Sequence, residues 1–173
     1  LKPGNIWLRQ DGSAALGDFG LAVSQDRTRI TQEGMMVGTV AYMPPEQALG
    51  RTPDARSDLY ALGVSLYEMV TGRTPFGGDD AVAIISQHIH TPPVAPSWHN
   101  GAIPKPLDEL ILRLLAKDPA QRPQSARLVL DALEAAADRI AFQAPTVPFI
   151  SNLTGRAIST APDAKYLREH SRR

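Results

Sequence analysis

The sequence contains no cysteine, and this absence excludes several kinds of protein. Among 173 residues there can be no disulfide framework, no thiol chemistry and no zinc site with cysteine ligands. An excess of either charge is also missing, because 18 basic residues balance 18 acidic ones. That balance argues against general attraction to nucleic acid or acidic membranes. No apolar run is long enough to span a bilayer and no signal segment is present, so we expect a cytoplasmic chain without a membrane segment or a nucleic-acid partner.

The residues that are present are typical of a soluble globular domain. Hydrophobic residues make up 43% of the chain and charged residues 21%, a composition that allows a buried core. The length of 173 residues suits one domain or a large part of one. Because the first residue is leucine and the chain opens inside a motif, we expect a truncated N-terminus.

Two short apolar runs near the N-terminus predict a β-hairpin. Residues 6–8 and 14–16 would be its strands, and Asp-Gly at positions 11–12 is a turn signal. The returning strand would deliver Asp18 close to Asn5. A carboxylate and an amide oxygen on adjacent loops can share one hard cation, so this end of the hairpin is a candidate metal site.

A helix that is apolar nearly all round is predicted over residues 58–71. Ser57 is the expected N-cap, and Gly72 supplies the stop signal. Because a helix without a polar face is usually buried, we expect this helix to be the central pillar of the domain.

Further helices are predicted before and after this central helix along the chain. Prolines at 44–45 exclude a helix before residue 47, and a helix begins after two aspartates at 79–80. The aliphatic face of that helix consists of Val82, Ile85 and Ile89. A proline-bearing loop extends to residue 106, and amphipathic helices follow over residues 107–115 and from 126 to about 141.

With these motifs in view, residues 1–140 resemble the larger, C-terminal lobe of a protein kinase of the bacterial serine/threonine type. Lys-Pro-Gly-Asn at 2–5 matches the second half of the catalytic loop H-R-D-L-K-P-x-N, and Asp-Phe-Gly at 18–20 matches D-F-G. Pro-Pro-Glu at 44–46 matches A-P-E, with proline in place of alanine. The implied fold is α+β, a mainly helical lobe with a small β-hairpin that carries the metal ligands, and we assign residues 1–141 to it.

The resemblance implies transfer of a phosphoryl group from ATP to serine or threonine hydroxyls of a protein substrate, with Mg²⁺. Asp18 would hold the Mg²⁺ that bridges the ATP phosphates, and Asn5 a second Mg²⁺. Lys2 would lie near the transferred phosphate as a point charge, and Thr39 would shape the site for a hydroxyl. All four are predicted catalytic residues; Lys2, Asn5 and Asp18 are also the predicted ATP-binding residues.

Two structural features follow from the same resemblance. Glu46 of the A-P-E match would pair with Arg122, and breaking such a buried pair costs on the order of 3–5 kcal/mol. Asp58 falls where the family has a buried aspartate that opens its central helix.

The resemblance also implies an activation loop at residues 21–43. Thr28 and Thr31 are its candidate phosphorylation sites. A phosphate on either threonine could pair with arginine and order the loop.

Several parts of the family pattern are not found in these 173 residues. The aspartate that accepts the substrate proton would directly precede Leu1, and the Gly-rich loop, the strand lysine and its glutamate partner are absent. We therefore expect the chain to transfer no phosphate on its own. One alternative is a catalytically silent kinase-like binding module, although the presence of both Asn5 and Asp18 favours an enzyme. Another is a fragment that barely folds because it exposes apolar area.

The segment 142–173 has a different character, and we expect it to be an unrelated or disordered tail. Residues 148–155 and 166–170 resemble a stretch of polyketide-synthase acyltransferase domains. The G-x-S-x-G nucleophile motif of that family is missing, so no acyltransferase chemistry is carried over. The protein substrate, the regulatory input and the oligomeric state have no signal in the sequence.

Overall fold

The computed structural model describes residues 1–8, 14–17, 40–138, 149–150 and 157–158. Within this part of the chain the structure is mostly helical, with two small antiparallel strand pairs. No helix in the described ranges combines the length and the apolar character needed to cross a bilayer.

The predicted N-terminal hairpin is confirmed. A 3₁₀ turn at Pro3–Asn5 leads into strand β1 (Ile6–Leu8), which pairs antiparallel with β2 (Ala14–Leu16). Ile6 lies opposite Leu16 in this register. The predicted Asp-Gly turn lies outside the described residues.

Six α-helices follow in the described part of the chain. They are α1 (Pro45–Ala48), α2 (Ala55–Thr71), α3 (Ala81–His90), α4 (Pro96–His99), α5 (Lys105–Leu114) and α6 (Ala126–Ala137). Helix α1 begins two residues earlier than predicted because a proline is tolerated at the first helical position, where its missing N–H has no partner to lose. The predicted end of the last helix, near residue 141, lies outside the described residues.

Helix α2 is the central pillar, as predicted, but its N-terminus differs from the prediction. The N-cap is Asp54, whose side chain accepts a hydrogen bond from the backbone N–H of Arg56 at 2.7 Å. Ser57 is the third helical residue, and its hydroxyl oxygen accepts from the backbone N–H of Asp54 at 3.2 Å. This reciprocal pattern is a capping box. At the other end Gly72 adopts the left-handed conformation, with φ of 76°, and confirms the predicted stop.

The core lies on two sides of α2, where this helix packs against α5 and α5 packs in turn against α6. The first buried cluster consists of Tyr60, Val64, Tyr67, Ile111 and Leu115. The second consists of Leu59, Leu110, Leu114 and Val129. Because both clusters take residues from α2 and α5, these two helices form the body to which the N-terminal segments attach.

Helix α3 buries a different face from the predicted one. Ile84 and His88 are its buried residues, whereas the side chain of Val82 is 69% exposed. Periodicity favoured the aliphatic stripe, but the buried face contains a histidine that is hydrogen-bonded to α2. Asp80 caps the helix by accepting from the backbone N–H of Val82 at 3.0 Å, which confirms the predicted start.

Candidate active site

The loop that contains Asn5 is joined to the end of β2 by the backbone. Asn5 donates its N–H to the carbonyl of Lys2 at 2.9 Å, which closes the 3₁₀ turn, and the N–H of Gly17 donates to the carbonyl of Asn5 at 2.8 Å. Lys2 and Asn5 are both half-buried. The residue that immediately precedes Asp18 is therefore held against the loop that contains Lys2 and Asn5.

Asp18 and Thr39 themselves lie outside the described residues, as do Thr28 and Thr31. No group of three or more His, Asp or Glu side chains that could hold a metal occurs in the described ranges. The predicted metal pair includes Asp18, so its assignment stays a prediction.

The first residues of the chain also contact the start of helix α2. The backbone nitrogen of Leu1 lies 3.9 Å from Oδ1 of Asp58. The expected burial of Asp58 is wrong for this chain, because its side chain is 78% exposed. Leu59 and Tyr60 take the core-facing positions of this turn, which leaves the carboxylate on its outer side, toward Leu1.

The segment that directly follows Thr39 is fastened to α2. Val40 is fully buried, and the hydroxyl of Tyr42 donates to Oε2 of Glu68 at 2.6 Å. Burial raises the pKa of Tyr42, and the hydrogen bond that its hydroxyl donates to the Glu68 carboxylate raises this pKa further. The phenol therefore stays protonated and keeps donating this hydrogen bond. The sequence contained no motif that singled out this pair, which links residues 26 positions apart.

The same segment is fastened a second time at Glu46. Nη1 and Nη2 of Arg122 donate to the two carboxylate oxygens of Glu46 at 2.8 Å each, which confirms the predicted pair. The hydroxyl of Ser57 donates to Oε1 of Glu46 at 2.6 Å. Burial opposes ionisation of Glu46, but hydrogen bonds from Arg122 and Ser57 outweigh it and lower the pKa. Residues 40–46 are thereby anchored to the helical body at both ends.

A buried polar cluster lies beside this segment and was not predicted. His88 of α3 is fully buried, and its Nδ1 is 2.8 Å from the hydroxyl of Tyr60. The ring of Phe76 packs edge-on against the imidazole at a centroid distance of 4.9 Å. Lys117 donates to the carbonyl of His88 at 2.7 Å and lies over the Phe76 ring. Burial, which is the larger cause, and the nearby Lys117 ammonium together lower the pKa of His88 to about 4, against the opposing effect of the Ala41 backbone.

Comparison with known proteins agrees with this architecture. The family model described as protein kinase domain matches residues 1–133. The chain belongs to the protein kinase family. Among curated proteins, it is 42% identical over 128 residues to the serine/threonine-protein kinase PknB of Mycolicibacterium smegmatis. It is 43% identical over 164 residues to the serine/threonine-protein kinase PksC of Streptomyces coelicolor.

These matches differ in how much of each protein they cover. The match to PknB covers 73% of this chain and 20% of PknB. The match to PksC covers 93% of this chain and 30% of PksC. The chain thus spans between a fifth and a third of the length of these relatives. The assignment of residues 142–173 to a separate tail stays a prediction.

Proposed function

We propose that the protein carrying this chain is a serine/threonine protein kinase that transfers the γ-phosphoryl group of ATP to protein hydroxyls. The observation that carries the proposal is the 2.8 Å hydrogen bond from the N–H of Gly17 to the carbonyl of Asn5. It joins Asn5 to Gly17, the residue directly before Asp18 in sequence. Membership of the kinase family supports the same chemistry, with ATP as the cofactor and the cytoplasm as the compartment.

The residues of this region fit a magnesium site by their donor chemistry. Mg²⁺ prefers hard oxygen ligands and is held in nucleotide enzymes by one or two protein groups plus phosphates. The amide oxygen of Asn5 and the carboxylate of Asp18 are such ligands. Bound Mg²⁺ would neutralise charge that develops on the phosphate oxygens. Lys2, three residues before Asn5 on the same turn, would add a positive charge toward the transferred group.

The acceptor side of the site would be built by the segment after Thr39. Its anchors, Tyr42 on Glu68 and Glu46 on Arg122, leave little freedom to the chain at residue 40. Rigid placement matters because phosphoryl transfer depends on positioning and electrostatics rather than on covalent steps by the protein. Thr39 would stand at the start of this fixed segment and shape the site for a hydroxyl.

The test is phosphoryl transfer by the full-length gene product that carries these residues, with ATP and Mg²⁺ and a generic protein substrate. Asp18→Asn should lower kcat by at least about 100-fold, the typical effect of losing one electrostatic stabiliser of the transition state. Asp11→Asn is the matched control, since it removes the same charge from the predicted hairpin turn. The 173-residue chain alone should show no transfer, because it contains no Gly-rich loop.

Two outcomes would overturn the proposal. Transfer at the wild-type rate by Asp18→Asn would remove the metal role from this carboxylate. Failure of the full-length wild-type protein to transfer phosphate while it still binds nucleotide would instead identify a catalytically silent kinase-like binding module.

A further inference from the structure

Trp7 and Gly17 form an unusually close contact across the N-terminal hairpin. A Cβ atom built on Gly17 would lie 2.6 Å from Nε1 and 3.0 Å from Cδ1 of the Trp7 indole. Real Cβ atoms essentially never lie closer than 3.0 Å to another heavy atom, so the 2.6 Å contact means that either the ring or the backbone at Gly17 would have to move. The indole therefore occupies the volume that any side chain at position 17 would need.

The contact, rather than backbone conformation, explains the glycine. In the described part of the chain only Gly50 and Gly72 have a positive φ, the conformation that favours glycine. Gly17 is not among them, so another residue could adopt its backbone angles. What excludes a larger residue at this position is the ring of Trp7.

Burial does not explain the position of Trp7 either. The residue is 62% exposed, although a tryptophan usually gains its stabilising energy by burying a large apolar surface. One edge of the ring lies on Gly17, and most of the remaining surface is free of contacts within the described chain. The contact thus lies at the edge of the hairpin that carries the proposed metal ligands.

The chain positions connect this contact to the proposed ligands. Trp7 is two residues after Asn5, and Gly17 is one residue before Asp18. The N–H of Gly17 also donates to the carbonyl of Asn5 at 2.8 Å. Gly17, the residue directly before Asp18 in sequence, is therefore held by a hydrogen bond on one side and contacts the indole on another.

We propose that Trp7 is a positioning residue, whose indole packs on the bare backbone of Gly17 and sets the approach of Asp18 to Asn5. This inference rests on the proposed function. It makes Trp7 and Gly17 a coupled large and small pair: a side chain at 17 displaces the proposed ligand unless the ring at 7 is reduced. A role limited to hairpin stability would change unfolding but would leave the magnesium dependence of the reaction unchanged.

The test is a double-mutant cycle in the full-length protein, with the Mg²⁺ concentration at half-maximal rate and kcat as readouts. Gly17→Ala should lower kcat by about tenfold, since small misplacements in an active site have effects of this order or larger, and should raise the half-saturating Mg²⁺ concentration. Adding Trp7→Leu to Gly17→Ala should restore most of both losses. Gly101→Ala is the matched control, because a Cβ there meets nothing within 4 Å.

Thermal unfolding of each variant separates a positioning effect from misfolding. If Gly17→Ala does not fold, the single variant Trp7→Leu decides the matter, and it should raise the half-saturating Mg²⁺ concentration at an unchanged melting temperature. An unaltered Mg²⁺ dependence in Gly17→Ala or in a folded Trp7→Leu overturns the inference, as does a double variant no better than Gly17→Ala.

The activity of Asp18→Asn distinguishes a failure of the proposed kinase function from a failure of the positioning role of Trp7. If that variant remains active, the proposed function fails first. If it is inactive while Gly17→Ala behaves as wild type, only the role of Trp7 is lost.

Discussion

Glu46 and Arg122 lie 76 residues apart in sequence and meet through two parallel hydrogen bonds of 2.8 Å each. Their side chains are 7% and 0% exposed. A buried carboxylate is tolerated only when its charge is compensated and its lone pairs are satisfied, and here Ser57 supplies a further donor. The pair fixes helix α1 and the segment before it to the helical body.

Removal of Arg122 should therefore strongly destabilise the fold. Arg122→Met leaves the Glu46 carboxylate buried without its cation, and we expect a loss of about 3–5 kcal/mol in the free energy of unfolding. Urea denaturation of the variant and the wild type measures the difference. Arg127→Met is the control, since Arg127 pairs with Asp131 on the surface and should change stability by less than about 1 kcal/mol. Equal losses in the two variants would contradict the structural role of the buried pair.

Motifs predicted those contacts whose partners have a fixed place in a sequence pattern. Glu46 and Arg122 each belong to a recognisable run, so their pairing could be expected across a long separation. The hairpin was predictable because short apolar strands flank an Asp-Gly turn. The capping of α2 was predicted in the wrong place, since Asp54 and Ser57 are both good N-caps and their reciprocal bonding appears only in three dimensions.

Contacts that depend on tertiary packing could not be predicted from sequence motifs. Tyr42 and Glu68 have no sequence relationship that marks them as a pair. An aliphatic stripe is the stronger sequence signal for a buried helix face, so the pattern does not mark His88, whose Nδ1 lies 2.8 Å from the Tyr60 hydroxyl. Asp58 was expected to be buried by resemblance alone, and its surroundings in this chain leave it exposed.

The burial of His88 should make the fold sensitive to mild acid. The folded-state pKa of about 4 lies below the ordinary value of 6.5, so between these values the unfolded chain binds a proton that the folded chain does not. Stability is then fully present above pH 6.5 and falls as the pH drops toward 4. The contribution of His88 to this loss is about 3 kcal/mol, from about 1.4 kcal/mol for each unit of pKa difference.

Unfolding free energies measured from pH 7 to pH 4 test this expectation. His88→Gln should flatten the dependence in that window, whatever its effect at pH 7, because the titrating group is gone. His90→Gln, at an exposed position of the same helix, should keep the wild-type slope. The pKa of Glu46 is lowered from its ordinary value of 4.5, so the loss of stability from protonating Glu46 overlaps with that of His88 only at the acid end of this window. Parallel slopes for wild type and His88→Gln would contradict a neutral buried imidazole.

Gly63 lies at a close contact between helices α2 and α5. A Cβ atom built there would lie 2.6 Å from Cβ of Leu114 and 3.3 Å from its backbone carbonyl carbon. Because these atoms belong to or adjoin the backbone of the facing helix, no flexible side chain can move aside. The two helices could make room only by separating.

Two opposing effects decide the outcome of Gly63→Ala. Alanine favours a helix interior over glycine by about 0.5–1 kcal/mol, whereas overpacking a well-filled core costs about 1–3 kcal/mol. Since the clash is with the facing backbone, we expect the second effect to dominate and the free energy of unfolding to fall by about 1–2 kcal/mol. Gly77→Ala, where a Cβ meets nothing within 4 Å, should stay within about 0.5 kcal/mol of wild type. A more stable Gly63→Ala variant would contradict this expectation and would mean that α2 and α5 can move apart without loss of stability.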